Sequence, residues 1–402
     1  MLRENSSAKT WRLLPREVQT LVIASFFVAM GYGVIVPAIP IYSRSFGVSA
    51  AAVGLVVSAF AIMRFVSHLF SGRMVNTFGE RYVFTFGVLM VSLSSFLAAI
   101  AQNYWQLLAF RTAGGLGSSM FSVAASSVIF KSVAPELRAR ANSIYNGGFL
   151  IGAIAGPAIG GLLMGISLRT PFFVYSVALL ISGSIAFAYL NANHLEPAPK
   201  GESFEEMGIK DAFRIPAFRI AFITSFLFGW AILGPRLSII PLFVVEELKG
   251  SNSTVGLVYT AAAMIQGAFL LRAGRLSDRR GRKLLLQLGS TITWAGMAMF
   301  LFADHEFVFV IAMLVIGFGT AFMSITPSTI VGDVITGKSG KVIGVFQMAG
   351  DAGMIVGPIV CGYLADISSF RTAFAATLAV YSITVFLAWR LPETLVAAED
   401  RK

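Results

Sequence analysis

The chain has 402 residues, of which 56% are hydrophobic and only 13% charged, with a mean hydropathy of +0.78 and a formal net charge of +11. Soluble domains carry about 25% charged residues, so this composition excludes an ordinary water-solvated core. A lone cysteine, Cys361, excludes an intrachain disulfide and a thiolate-held metal cluster. The histidines, His68, His194 and His305, are far apart, and no HExxH, CxxC or GxxxxGK[ST] pattern occurs. Metal-dependent or ATP-driven chemistry is therefore not expected, and no cofactor is called for.

In chain order, the segment to Gln19 is polar and basic, with no small-residue cleavage site after the first apolar run. It reads as a cytoplasmic tail rather than a removable leader. Apolar stretches long enough to cross a bilayer then follow at about 20–41, 52–72, 82–101, 105–130, 142–164, 171–190, 219–244, 254–272, 284–302, 307–331, 342–364 and 371–390, numbered here as spans 1 to 12. The predicted fold is an all-α membrane protein of twelve transmembrane helices in two six-helix bundles. The first bundle covers 1–190 and the second 219–402. The connection 191–218 is the longest polar one. It holds Pro197, Pro199, Gly201 and a charged run from Glu202 to Arg214, and so reads as a cytoplasmic linker.

Of the 31 lysines and arginines, Arg64, Arg111 and Arg236 fall within spans. With the N-terminus inside, only Arg44, Arg169, Lys249 and Arg371 lie outside. That bias places both termini in the cytoplasm of a multi-pass inner (plasma) membrane protein. It also accounts for the positive charge without nucleic acid as a partner.

The halves repeat at one constant spacing. Gly54 matches Gly256, Gly72 matches Gly274, Gly79 matches Gly281, Gly115 matches Gly317 and Gly117 matches Gly319. Gly156-Pro157 matches Gly357-Pro358 one residue out of step. Paired halves of this kind are a transporter plan, with substrate held between them near mid-bilayer.

Between spans 8 and 9 stands Gly274-Arg275-Leu276-Ser277-Asp278-Arg279-Arg280-Gly281-Arg282-Lys283. Its glycines permit a tight turn, its Asp can face a helix N-terminus, and its arginines can hold carboxylates or lipid phosphates. The first half has a weaker copy with Gly72, Asn76, Gly79, Glu80 and Arg81. Span 1 ends in Met30-Gly31, then Pro37-Ala38-Ile39-Pro40; span 4 carries Arg111, Gly115, Gly117 and Ser118. Span 5 carries Gly152, Gly156, Pro157, Gly160 and Gly161, echoed in span 11 by Gly353, Gly357-Pro358 and Gly362.

Together these patterns resemble the major facilitator superfamily, and within it the twelve-helix drug–proton antiporters. The resemblance spans nearly the whole chain. It implies a facilitator fold, alternating access and export. Asn76 stands where that family's loop carries Asp, which implies a looser lock in the first half, and Ser143 stands at a usual glycine of the span 5 pattern. A helix–helix packing seam is the simpler reading of the span 5 glycines.

Fold alone should act alike on both halves, so charges found in one half alone are functional candidates. Arg64 corresponds to Gln266, and Arg111 to Met313. A charge at the bilayer centre costs at least about 2.5 kcal/mol, so each needs a partner or water. Asp351 in span 11 is the deep carboxylate, roughly 15 Å from the inner helix end at 1.5 Å per residue. Arg64 lies roughly 12 Å deep by the same measure. In the facilitator fold spans 2 and 11 face each other. The expectation is therefore that Arg64 and Asp351 pair when the cytoplasmic side is closed, and that protonation of Asp351 releases them. Gln347, one turn away, joins them. A permanent structural pair is the plainer alternative.

Arg111 stands where the family places an arginine that takes part in proton and substrate coupling, although snorkelling to the outer surface would also explain it. Many such antiporters carry an acid in span 1 or 4, and none is present here. Arg236, after Gly234-Pro235 in span 7, would attract an anionic substrate or sit at the outer interface. Cavity helices of this fold offer Tyr32, Phe226 and Trp230, with Gln266 as a further polar contact. Such groups bind amphipathic ligands through apolar area. The resulting expectation is a non-enzymatic, proton-coupled exporter of small amphipathic molecules, acting as a monomer in the bilayer. A sugar, metallophore or other polar metabolite as cargo, or lipid flipping, is the alternative.

Overall fold

The structure is a computed structural model and describes residues 15–133, 135–190, 207–335 and 340–395. Every regular element among the described residues is helical. A chain in hydrocarbon must satisfy its backbone polar groups within each segment, which selects helices for sequences this apolar. Eleven described helices are long and apolar enough to cross a membrane. Tyr104–Ser132, 29 residues long, lies where span 4 is expected and carries Arg111. Side-chain caps begin several of the helices. Asn103 accepts from the Gln106 N–H, Ser251 from Thr254, and Ser369 from Thr372.

Proline divides three of the expected spans. Span 1 runs as Arg16–Ile35 and resumes past Pro37 as Ala38–Arg44. Span 10 runs as Glu306–Met323 and then Thr326–Val334, with Pro327 in the first turn. Span 7 is the most broken. Pro216–Phe228 passes into a π turn at Gly229–Leu233, two short α turns, Gly234–Leu237 and Ile239–Leu242, and a second π turn at Phe243–Glu247. Pro235 and Pro241 each remove an N–H, and two carbonyls of the broken stretch accept from side chains. The Ser238 hydroxyl donates to Gly234 O at 2.7 Å, and the Tyr259 hydroxyl donates to Arg236 O at 2.6 Å.

The chain forms two compact units. The first comprises Met1–Ala38 and Ala59–Gly201; the second comprises Ile39–Ser58 and Glu202–Lys402. The start of span 2 thus groups with the second sequence half. Within the second unit, the Asp366 carboxylate accepts from the Ala50 and Ala51 N–H groups at 2.7 and 2.8 Å. Arg44 forks onto Glu246 at 2.7 and 3.2 Å, and the Ser58 hydroxyl donates to Ile355 O at 2.6 Å.

Glycine seams hold each unit together, and they match across the repeat. In the first unit span 5 (Pro135–Met164) lies on span 1. A Cβ at Gly33 would stand 3.0 Å from Gly156 Cα. In the second unit a Cβ at Gly234 would stand 3.0 Å from Gly357 Cα, where span 11 (Gly340–Ile367) lies on span 7. Gly117 abuts Gly87, as Gly319 abuts Gly289. Gly115 abuts the Phe60 backbone, as Gly317 abuts that of Ala262. Lipid supplies little hydrophobic drive between helices, so backbone approach of this kind must supply the contact.

Replacing Gly156 by Val should therefore destabilise the protein by about 1–3 kcal/mol, the usual cost of overpacking. The added carbon would stand only 2.5 Å from Gly33 Cα. Gly72→Ala, where an added carbon meets nothing within 4 Å, should stay within about 0.5 kcal/mol. Thermal denaturation in detergent distinguishes the two.

Candidate functional site

The first unit places a cation deep in its bundle. Arg111 is 2% exposed, and its guanidinium carbon lies 4.6 Å from the centre of the Phe60 ring. Its Nε and Nη1 groups are buried with no hydrogen-bond partner. Tyr175 and Tyr32 are close enough to interact with it electrostatically. Spans 1, 2, 4 and 6 therefore each contribute to one centre, and Gly31 lets the Tyr175 ring lie against span 1. The balance is poor. A desolvated cation–π contact returns about 2 kcal/mol, against at least about 2.5 kcal/mol for the buried charge. Each unmet N–H adds about 1–3 kcal/mol. Such a centre gains most from any group that brings an acceptor oxygen.

Arg64, in the same unit, is half-buried; its Nε is buried without a partner, and it interacts electrostatically with Tyr145. Asp351 is half-buried in the second unit, and Gln347 one turn earlier is exposed. Arg236 stacks on Tyr259 at 5.1 Å and lines a water-sized cavity of about 30 Å³ with Thr320 and Thr377. Phe226 and Trp230 meet edge to face at 5.8 Å, backed by Gly353 and Gly357. Gln266 is half-buried. The residues the structure brings together are thus Arg111 with Tyr32, and Phe226 with Trp230. Arg64 and Asp351 belong to different units.

The two loop motifs turn on equivalent glycines in the left-handed region, Gly79 at φ 82° and Gly281 at φ 96°. Arg279 and Asn76 are exposed, and the Asp278 side chain lies outside the described residues. Arg282 is buried. Its Nε donates to Asp333 at 2.8 Å and its Nη1 to the Ser277 hydroxyl at 2.8 Å. The tail closes the cluster: Glu393 accepts from the backbone N–H groups of Arg282, Lys283, Thr394 and Leu395 at 2.8, 3.3, 3.0 and 3.0 Å. Burial alone would raise the Glu393 carboxyl, but these donors outweigh it and hold the group below its usual range.

The first half answers with opposite signs. Glu80, 1% exposed, meets Lys131 at 2.6 Å and accepts from the Ser127 hydroxyl at 2.7 Å. By the repeat, Glu80 occupies the place of Arg282, and Lys131 that of Asp333. The loop copy alone does not single out Glu80. The signal was the exchange of sign at both matched positions. Arg81 turns away from this pair, donating from Nη2 to Phe187 O.

Comparison with known proteins agrees with this architecture. Residues 21–243 and 236–401 match the family model described as Major Facilitator Superfamily. The chain is 26% identical over 387 residues to Multidrug resistance protein 1 of Bacillus subtilis, covering 94% of this chain and 98% of that one. It is 25% identical to Multidrug resistance protein 2 of the same organism, covering 94% and 96%. It is 23% identical to Multidrug resistance protein MdtG of Salmonella paratyphi C, covering 93% and 95%. Among solved structures, a bacterial homologue of the human lysosomal transporter Spinster matches with a TM-score of 0.77 at 15% identity, covering 93% and 96%. The nucleoside transporter NupG matches with a TM-score of 0.71 at 16% identity, covering 93% and 98%.

The loop cluster yields two expectations. Asp333→Asn strands a buried guanidinium and should cost about 3–5 kcal/mol of stability. Because the Glu393 pKa is depressed, the tail's docking is complete above the ordinary carboxylate range and is lost as pH falls through the lowered value. Amide exchange at Arg282 and Lys283 should therefore be slow at pH 7 in the native protein. In Glu393→Gln it should be several-fold faster.

Proposed function

The chain belongs to the Major Facilitator Superfamily, and from that membership we propose that this membrane transporter exports small amphipathic molecules by alternating access, with protons moving inward in exchange. The observation that carries the reading is Arg111. A guanidinium stays protonated in any accessible range, so it cannot relieve its burial by losing charge. Its unmet N–H groups are best satisfied by an oxygen delivered during the cycle, from cargo or from a rearranged side chain. Tyr32 beside it, and the Phe226–Trp230 pair, offer aromatic area with few obligatory hydrogen bonds, which suits ligands of varied shape.

Export agrees with three relatives named for multidrug resistance that align over nearly their full length. In this proposal Asp351 is the proton carrier. Its carboxylate pairs with Arg64 when the cytoplasmic side is shut, and protonation frees both. The spans sit in the inner membrane with both termini cytoplasmic, and one chain suffices. A second reading, export of a carboxylate-bearing metabolite, draws on Arg236, whose cavity offers Thr320 and Thr377 as further polar contacts.

A growth screen with dyes, antibiotics and sugar acids, in cells with and without the protein, tests the substrate class. Resistance to amphipathic cations and neutrals that a protonophore abolishes is the expected result. Protection confined to acids would transfer the case to the second reading. Arg111→Met should lower transport at least tenfold, the effect of losing about 1.4 kcal/mol or more of interaction, while Arg111→Lys retains part of it. In vesicles Asp351→Asn should still exchange substrate yet fail to respond to a proton gradient; unchanged coupling would remove Asp351 from the mechanism.

A further inference from the structure

On the outer wall of the first unit, we propose, lies a binding site for one anionic phospholipid. The site is a groove of about 650 Å³ formed by the end of span 2, the first turns of span 3 (Glu80–Ala99), Met120 of span 4 and Phe187 of span 6. Its rim and walls expose large rings: Tyr82 is 51% exposed, Phe86 59% and Phe187 53%. Several large rings exposed side by side suit a face against hydrocarbon. The groove runs along span 3 from the loop end towards the bilayer interior, and its chemistry changes with depth in the order that a phospholipid requires.

At the rim stands Arg81. Its guanidinium lies 5.0 Å from the Phe187 ring centre and 5.9 Å from that of Tyr82, and its Nε is buried without a partner. Arg73, at the same end, is exposed. The neighbouring acid, Glu80, is buried and paired with Lys131, so among the described residues the rim carries uncompensated positive charge. This matches a phosphate, which arginine holds through paired N–H groups.

One helical turn deeper, roughly 6 Å at 1.5 Å per residue, Thr85 lines the groove. It is 6% exposed, and its hydroxyl is buried with no hydrogen-bond partner. That depth is where the ester oxygens of a lipid lie beneath its phosphate. Another turn on, Leu89 and Met120 leave only apolar surface, suited to an acyl chain. An anionic head, an ester layer and a tail are thus each met by an appropriate group. A zwitterionic head adds a cation that, among the described residues, this rim has no free acid to receive.

The test is native mass spectrometry of the purified protein titrated with dioleoylphosphatidylglycerol or dioleoylphosphatidylcholine. One phosphatidylglycerol should be retained, about tenfold more tightly than phosphatidylcholine, whose phosphate is the same but whose choline brings a like charge to the arginine rim. Arg81→Gln should weaken phosphatidylglycerol more than phosphatidylcholine and so remove that preference. Leu89→Trp, which fills the groove and leaves Arg81 in place, should weaken both; it decides the matter should Arg81→Gln fail to fold. Equal retention of the two lipids, retention of the preference in Arg81→Gln, or displacement of phosphatidylglycerol by a transported dye would overturn the assignment. The last result would make the groove a substrate port.

Discussion

Hydrocarbon gives neither a backbone dipole nor a charge anything to bond to, and this protein's architecture follows from how it meets that condition. Helix association cannot rest on burying apolar surface, because the solvent is itself apolar. Close backbone contact replaces it. Gly33 on Gly156 and Gly234 on Gly357 are the same contact made twice, and in each an added Cβ would stand 3.0 Å from the facing Cα. The glycine spacing of the sequence is therefore the imprint of helix crossings. A transport cycle that moves helices as rigid bodies needs seams that are tight along their length, and these are.

The same condition sorts the charges. Two groups of them, at the loop motifs, are closed into clusters. Arg282, Asp333, Ser277 and Glu393 form one, while Glu80, Lys131 and Ser127 form its counterpart with reversed polarity. Preservation of the pairing through a change of sign indicates that what matters at this position is a tie between opposite charges at the two matched positions. Arg111 breaks the pattern. It is as buried as any of them and is met by a ring and two phenols instead of a carboxylate. Groups left in that condition are where a membrane protein stores function.

Fold class and family were legible in the sequence because they depend on long runs and fixed intervals. The apolar spans, the glycine register and the loop motif survive any local irregularity. Span 7 was not legible as it stands, since Pro235 and Pro241 say that the helix is disturbed but not that two π turns absorb the disturbance. The grouping of Ile39–Ser58 with the second unit was equally hidden. It depends on Asp366 capping the helix at Ala50 and Ala51, a contact across most of the chain. The Glu393 clasp was hidden for the same reason. Arg111 was singled out by its absence from the other half. The sequence could not say that Phe60 would be what covers it.

Purified protein in sealed vesicles offers the most direct test of the central claim, that transport is driven by protons although spans 1 and 4 hold no acid. An amphipathic dye and a pH probe would be followed together as a proton gradient is imposed. The account predicts that dye accumulates against its own gradient only while the proton gradient lasts, with proton movement in the opposite direction that vanishes when dye is omitted. Dye flux indifferent to the proton gradient, with no accompanying proton movement, would contradict it.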